Sequence, residues 1–182
     1  MSGERPIILV DTNIWVDNYL PNRPLSQASR RFLHAAHDCG MQLAYPVHCI
    51  KDVFFLIQAG LKRLKRESGP LSEADAEAIR EAGWGCVQNM REFACSVGAD
   101  ESDIWIACRH RALTRDLEDN LVIAAAQRAH ARLLVTNDAY LLKHAPVPAL
   151  SAADALVLIE SGVLPVCAES PSKRRAETEA RS

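Results

Sequence analysis

A three-layer α/β domain, with helices on both faces of a mainly parallel sheet, is the fold that this sequence predicts. Three observations predict it. Runs such as Ile7-Ile8-Leu9-Val10 and Leu133-Leu134-Val135 are apolar without alternation, the mark of strands buried on both faces. Helical patterns separate the strand-like runs, as the crossover connections of a parallel sheet require. Both runs end in small polar residues and an acid, Asp11-Thr12-Asn13 and Thr136-Asn137-Asp138. The carboxyl edge of such a sheet is where ligands bind.

The elements follow in order. After Asn13, Ile14-Trp15-Val16-Asp17 begins a first helix that stops near Pro21. Ser26 is placed to cap a second helix over 27–38, with Phe32, Leu33 and Ala36 on one face and Gly40 at its end. Met41 to Tyr45 is a short strand, broken by Pro46. Val47 to about Arg66 is helical in pattern, with Val53, Leu56, Ile57 and Leu61 toward the core, and Ser68-Gly69-Pro70 turns the chain. Ser72, with Asp75 at the third helical position, caps an Ala-rich helix that runs to about Met90. Phe93–Val97 is a third strand. Ser102 to about Ala112 is a helix with Ile104, Ala107 and Cys108 or Ala112 inward. Asp116 to Asp119 starts a small-residue helix through Leu121-Val122-Ile123-Ala124-Ala125-Ala126, and the Leu133 strand follows. Pro148-Ala149-Leu150 is a short last strand. Ser151 to Asp154 caps a final helix that reaches about Ser161. Residues 1–162 form the domain. Residues 163–182 form a tail, polar and charged from Glu169 onward, whose composition predicts disorder.

Composition narrows the function classes. A net charge of −2 over 182 residues argues against a general polyanion-binding surface, although a local basic patch is compatible with it. The six cysteines form no Cys-x-x-Cys pair and no regular zinc spacing, which suits reduced thiols in a cytoplasmic protein. The N-terminal apolar run is too short for a signal peptide and ends in Asp11, and no segment has the length of a membrane span.

The chemistry lies in the acids. Asp11 and Asp138 both follow buried strands, so parallel pairing puts them on one rim. Asp52 lies in the first turns of the helix after the second strand, and Asp119 in those of the helix before the fourth. Asp119 joins the rim only if the Asp116–Asp119 turn lies at that edge. Clustered carboxylates repel one another and raise each other's pKa. A divalent cation removes that penalty, and Mg²⁺ prefers hard oxygen ligands and keeps several waters. Such a site points to hydrolysis of phosphate esters. Asp17 and Asp103 are read as solvated.

With these residues in hand, a family resemblance is visible. The Val10-Asp11-Thr12-Asn13 opening, Asp119 before its apolar helix, and the Leu134-Val135-Thr136-Asn137-Asp138 ending resemble the PIN domain, the nuclease family that includes VapC-type toxins of toxin–antitoxin pairs. The likeness covers roughly residues 6–162. It implies a three-layer α/β/α domain and a Mg²⁺- or Mn²⁺-dependent ribonuclease. It further implies Asp11, Asp119 and Asp138 as metal-holding catalytic acids, with Asp52 where the family usually has Glu. Asp is one methylene shorter, which sets it to reach an ion through a water. Thr12, Asn13, Thr136 and Asn137 would orient carboxylates, and Asp116 is an outer candidate. Expected partners are an RNA substrate, an antitoxin protein and a second copy in a homodimer, with no membrane. An RNA-processing nuclease without antitoxin, or a binding module with little activity, is the alternative.

Two basic runs are candidates for RNA contact: Lys62, Arg63, Lys65 and Arg66, and Arg109, Arg111 and Arg115. The sequence does not choose between them. His34, His37 and Cys39 sit close together on one helix but lack a fourth zinc ligand at useful spacing. A haloacid-dehalogenase-like opening is disfavoured because Asn13 stands where that family needs a second Asp. Trp15, Trp84 and Trp105 are expected in the core or a dimer contact, and Phe54 and Phe55 in the core.

Overall fold

A computed structural model describes residues 6–164. Five strands, β1 (Ile7–Val10), β2 (Gln42–Pro46), β3 (Cys95–Val97), β4 (Leu133–Val135) and β5 (Ala149–Leu150), form one sheet in the order β3-β2-β1-β4-β5. Every pairing is parallel, and β1 is central: Ile8 stands opposite Leu43 on one side and Leu133 on the other. The chain first winds outward from β1 through β2 to β3. It then crosses to the other side of β1 for β4 and β5. That reversal makes the carboxyl end of β1 a topological switch point, where the flanking connections diverge and leave a crevice.

The alternation of β1 sorts the two helical layers. Ile8 and Val10 pack with α1 (Thr12–Tyr19), α2 (Ser26–Asp38), α3 (Cys49–Ser68), α4 (Glu73–Phe93) and α8 (Ala152–Glu160). Leu9 and Leu134 face Val122, Ala125 and Ala126 of α6 (Leu117–Arg128), which packs against α5 (Glu101–Arg109). The small side chains of α6 let it lie close to the sheet. A 3₁₀ turn, His110–Ala112, joins α5 toward α6, and α7 (Ala139–His144) follows β4. This is the α/β/α sandwich expected from the strand–helix alternation. Gly40, at φ +65, ends α2 in the left-handed conformation that a side chain disfavours and turns the chain into β2.

Several local expectations are corrected. Ser26 is the first residue of α2 and not its cap; Leu25 takes that position without a side-chain bond. Leu56 is exposed, because α3 turns that edge toward the carboxyl rim of the sheet. Ile104 and Cys108 are exposed too, and Asp103 and Ala107 are the buried residues of α5. Asp103 is not solvated: it is 2% exposed, accepts from Arg128 and from the backbone of Asp100, and so ties α5 to α6. Asp17 is likewise 2% exposed, paired with Arg23 and bonded by Asn137. In both cases a polar helix position was read as solvent-facing, whereas a distant cation brings the acid inside.

The aromatic residues divide in the same way. Trp15 is fully buried, edge-on to Tyr45 with ring centroids 6.1 Å apart. Phe55, Trp84 and Trp105 are exposed, and Arg109 lies 4.8 Å over the Trp105 ring. His34 and His37 pack against Phe93 and form no metal cluster among the described residues. The expected disordered tail lies outside the described residues, except for positions 163 and 164. Trp15→Ala is expected to cost about 3–5 kcal/mol, and Trp105→Ala less than about 0.5 kcal/mol, in urea unfolding of the two variants.

Candidate active site

Parallel topology decides which acids meet. A helix that follows a strand starts at that strand's carboxyl end. A helix that precedes a parallel strand must also start there, because it runs back to the strand's beginning. The N-termini of α1, α3, α6 and α7 therefore share one rim. The Asp116–Asp119 turn lies at that edge, which the sequence left open. Asp11, Glu118, Asp119 and Asp138 line a recess of about 210 Å³ there, with Thr12, Asn13, Val16, Leu56 and Arg23.

Asp11 lies at the bottom of the recess, 5% exposed. Its Oδ1 accepts from the backbone N–H of Thr12 at 2.6 Å, which caps α1. Its Oδ2 accepts from Asn13 Nδ2 and from Thr136 Oγ1, each at 2.6 Å. Thr136 is fully buried, and its hydroxyl also accepts from Asn13 Nδ2 and from the Asp138 backbone, both at 3.0 Å. One hydroxyl thus ties β4 to the end of β1. Asn137 joins the frame through its backbone N–H to Asn13 Oδ1, at 2.9 Å. Its side chain donates to Asp17 at 2.9 Å and to Ser29 at 3.1 Å. The Thr12 hydroxyl donates to the buried Cys49 thiol at 2.9 Å, and burial keeps that thiol protonated.

Among the described residues, Asp138 and Asp119 each keep one oxygen without a hydrogen bond. Asp138 Oδ1 accepts from the backbones of Tyr140 and Leu141 at 2.8 and 2.9 Å, capping α7, while no hydrogen bond to Oδ2 is present among the described residues. Asp119 accepts from Thr114 Oγ1 at 3.2 Å on Oδ2 alone. Asp116 caps α6 by accepting from the Glu118 backbone at 2.8 Å and does not line the recess. Asp52 is not among the lining residues either. Its carboxylate pairs with Lys51 at 3.4 Å and bears on the site through its charge beside Glu118. Glu118 is the lining acid that the sequence reading missed. The signal was present in the density of acids at the α6 start, but helix periodicity alone does not say which of two consecutive residues faces a wide recess.

Electrostatics mark this as the costly part of the molecule. Burial lifts Asp11 to about 7, against the hydrogen bonds from Thr136 and Thr12, and the charges of Glu118 and Asp119 add to the rise. Asp119 is raised to about 6 by burial and then by Asp116 and Asp138. Glu118 is raised by desolvation and then by Asp52. Arg23 is the one cation among the described residues that line the recess. Its Nε is held by the buried Asp17, so the guanidinium is fixed at the rim.

The comparisons agree with this architecture. The sequence matches the PIN domain family over residues 7–140, and the chain belongs to that family. Among solved structures, the crystal structure of VapBC2 from Rickettsia felis bound to a DNA fragment from their promoter is similar. Its TM-score is 0.55 at 13% identity, covering 80% of this chain and 98% of that one. At that identity the likeness speaks for the fold. A comparison with curated proteins finds no match.

A carboxyl raised in the folded state binds a proton that the unfolded chain, with an ordinary value of about 4, has released. Its contribution to stability is full below about pH 4 and is lost as pH rises through the folded value. For Asp119 the window is pH 4 to about 6. His48, lowered by burial, acts in the opposite sense, so the effect is read as a difference between proteins. In EDTA, Asp119→Asn is expected to gain about 1–2 kcal/mol on wild type between pH 4.5 and 7.5, measured by urea unfolding at each pH.

Proposed function

We propose that this protein is a divalent-metal-dependent endoribonuclease and the toxin of a type II toxin–antitoxin pair. The observation that carries the proposal is the recess in which Asp11, Glu118, Asp119 and Asp138 meet, with the carboxyls of Asp11, Glu118 and Asp119 raised by burial and by neighbouring acids. Its charged acceptors are hard carboxylate oxygens, and no imidazole or thiol lines it. That chemistry suits Mg²⁺ or Mn²⁺. No group of three acidic, histidine or cysteine side chains is drawn together as a ready-made cluster among the described residues. An ion here would be held in part through its own waters, as Mg²⁺ commonly is. Asp11, Asp119 and Asp138 would hold the ion, with Glu118 beside them and Asp52 as an outer charge. When bound, the ion supplies an activated water and neutralises charge on a phosphoryl group.

The chain's own residues do the rest. Asn13 and Thr136 fix the Asp11 carboxylate, and Asn137 locks both strand ends together. Arg23, held by Asp17, offers a cation to the non-bridging oxygens of a phosphodiester in the recess. No side-chain nucleophile is needed. The likeness to VapBC2 supports an antitoxin partner. The exposed Phe55 and Trp84 supply apolar surface for that partner or for a second copy of the chain. No helix among the described residues is long and apolar enough to cross a membrane.

Cleavage of RNA is expected to require Mg²⁺ or Mn²⁺ and to stop in EDTA. Asp11→Asn, Asp119→Asn and Asp138→Asn should each slow cleavage by about 100-fold or more. Thr136→Ala should slow it by about 10–100-fold, as loss of a group that orients a ligand does. Glu118→Gln is expected to cost more than Asp52→Asn. Wild-type cleavage by Asp11→Asn would overturn the assignment. Induced expression should arrest growth, and co-expression of a neighbouring antitoxin should relieve the arrest.

A further inference from the structure

Beside the acid recess lies a larger cleft of about 1120 Å³, lined by Arg109, Arg111, Arg115, Thr114, Leu113 and Tyr140 among others. Its inner edge is made of residues that also hold the site acids. Thr114 donates its hydroxyl to Asp119, and Tyr140 donates its backbone N–H to Asp138 Oδ1 at 2.8 Å. The Tyr140 hydroxyl donates to the Leu113 carbonyl, closing the cleft on that side. The cleft and the recess are therefore joined through these bonded residues.

The cleft is built for anions. Arg109, Arg111 and Arg115 are exposed, and none has an ion-pair partner among the described residues. The segment that carries them, from the end of α5 through the 3₁₀ turn to Arg115, is pinned at both ends. Arg128 of α6 holds Asp100 at 2.8 Å and also Asp103, at the start of α5. His110 meets Gln127 at 3.1 Å, and Asn120 donates to the Thr114 carbonyl at 2.9 Å. Three guanidinium groups thus rise from a pinned backbone, Arg109 stacked over Trp105 and all three with N–H groups suited to paired hydrogen bonds with phosphate oxygens.

The other basic run does not compete for this place. Lys62 to Arg66 lie toward the far end of α3, roughly 15–20 Å along the helix from Asp52 at about 1.5 Å per residue. Lys65 is engaged with Asp75 at 3.0 Å. An acid recess by itself repels phosphate, so a neighbouring cationic anchor is what makes approach of a polyanion favourable.

We infer that the Arg109–Arg111–Arg115 cleft seats the phosphodiester backbone of a single-stranded RNA, on the nucleotides adjoining the phosphate that enters the acid recess. This deepens the nuclease reading and rests on it. The strand is single because Asp11 lies at the bottom of a narrow recess. A flexible chain can push one phosphate into it while its neighbours stay on the arginines. A duplex holds its phosphates on a stiff cylinder and reaches such a recess poorly.

The test is binding without cleavage. A fluorescently labelled single-stranded RNA of about a dozen nucleotides is titrated with the full chain in EDTA, at several salt concentrations, by anisotropy. Arg109→Ala, Arg111→Ala and Arg115→Ala combined should weaken binding by about tenfold or more at 0.1 M salt. The slope of log K against log salt should fall by about 2, since each phosphate contact on a single strand carries about 0.7. The three side chains are exposed, so the variant's melting temperature should match wild type. The Lys62→Ala, Arg63→Ala, Arg66→Ala variant should bind as wild type does. An unchanged salt slope in the first variant overturns the inference, as does a loss confined to the second or tighter binding of the same RNA as a duplex. Cleavage is a separate measurement: a protein that binds through the arginines and cuts nothing with Mg²⁺ leaves the cleft standing and removes the nuclease reading.

Discussion

The burial of one carboxylate at the end of the central strand governs this molecule. Asp11 sits where β1 stops, flanked by β2 and β4, and the packing of both neighbours leaves it almost no water. A charge so placed is destabilising unless it is bonded. Three donors from Thr12, Asn13 and Thr136 meet it, yet its carboxyl still titrates at about 7, since burial outweighs them and the nearby acids add to it. The local structure is arranged to hold that oxygen pair still. It is not arranged to make the pair stable as an anion.

The same sheet supplies partial relief. Four helices begin at this rim, and the exposed N–H groups at a helix start favour negative charge. Asp11, Asp116 and Asp138 use those groups directly as caps. Capping and clustering overlap through topology: Asp11 and Asp138 are both caps and lining acids, and Glu118 and Asp119 come from the first turn of α6. A buried second layer behind them keeps the frame rigid. Asn137 links the strand ends to Asp17 and Ser29, and Asp17 in turn fixes Arg23 at the mouth of the recess. A cationic cleft on the α5–α6 side completes an asymmetric surface, acid next to base, in a chain whose net charge is only −2.

Much of the site was legible in the residues. Asp11 announces itself, because an acid directly after a fully apolar strand is costly unless bonded, and Asp138 stands out because its strand ends in the same small polar residues and an acid. Asp119 needed the family resemblance, since an acid in a helix's first turn is usually just that. Glu118 was not legible, because its neighbour had the motif and consecutive helix positions differ only by rotation. The family resemblance makes Asp52 a member of the set that reaches an ion through a water; in the folded chain it is not among the residues lining the recess, pairs with Lys51 and acts on Glu118 through its charge. Asp17 and Asp103 were misread for a shared reason: the cations that bury them, Arg23 and Arg128, come from outside their own helices.

Local pattern, by itself, determined the strands, most of the helices and several of their caps, and the layered parallel class, because hydrophobic period and capping chemistry are properties of neighbouring residues. It also determined that acids stand at strand ends. Only the tertiary structure decided which acids share a recess, which aromatic residues are buried, and which of two basic runs lies beside the site. Those outcomes depend on the crossing from β3 to β4 and on the direction in which α6 runs. Both are set by long-range pairing and packing, which no window of sequence contains.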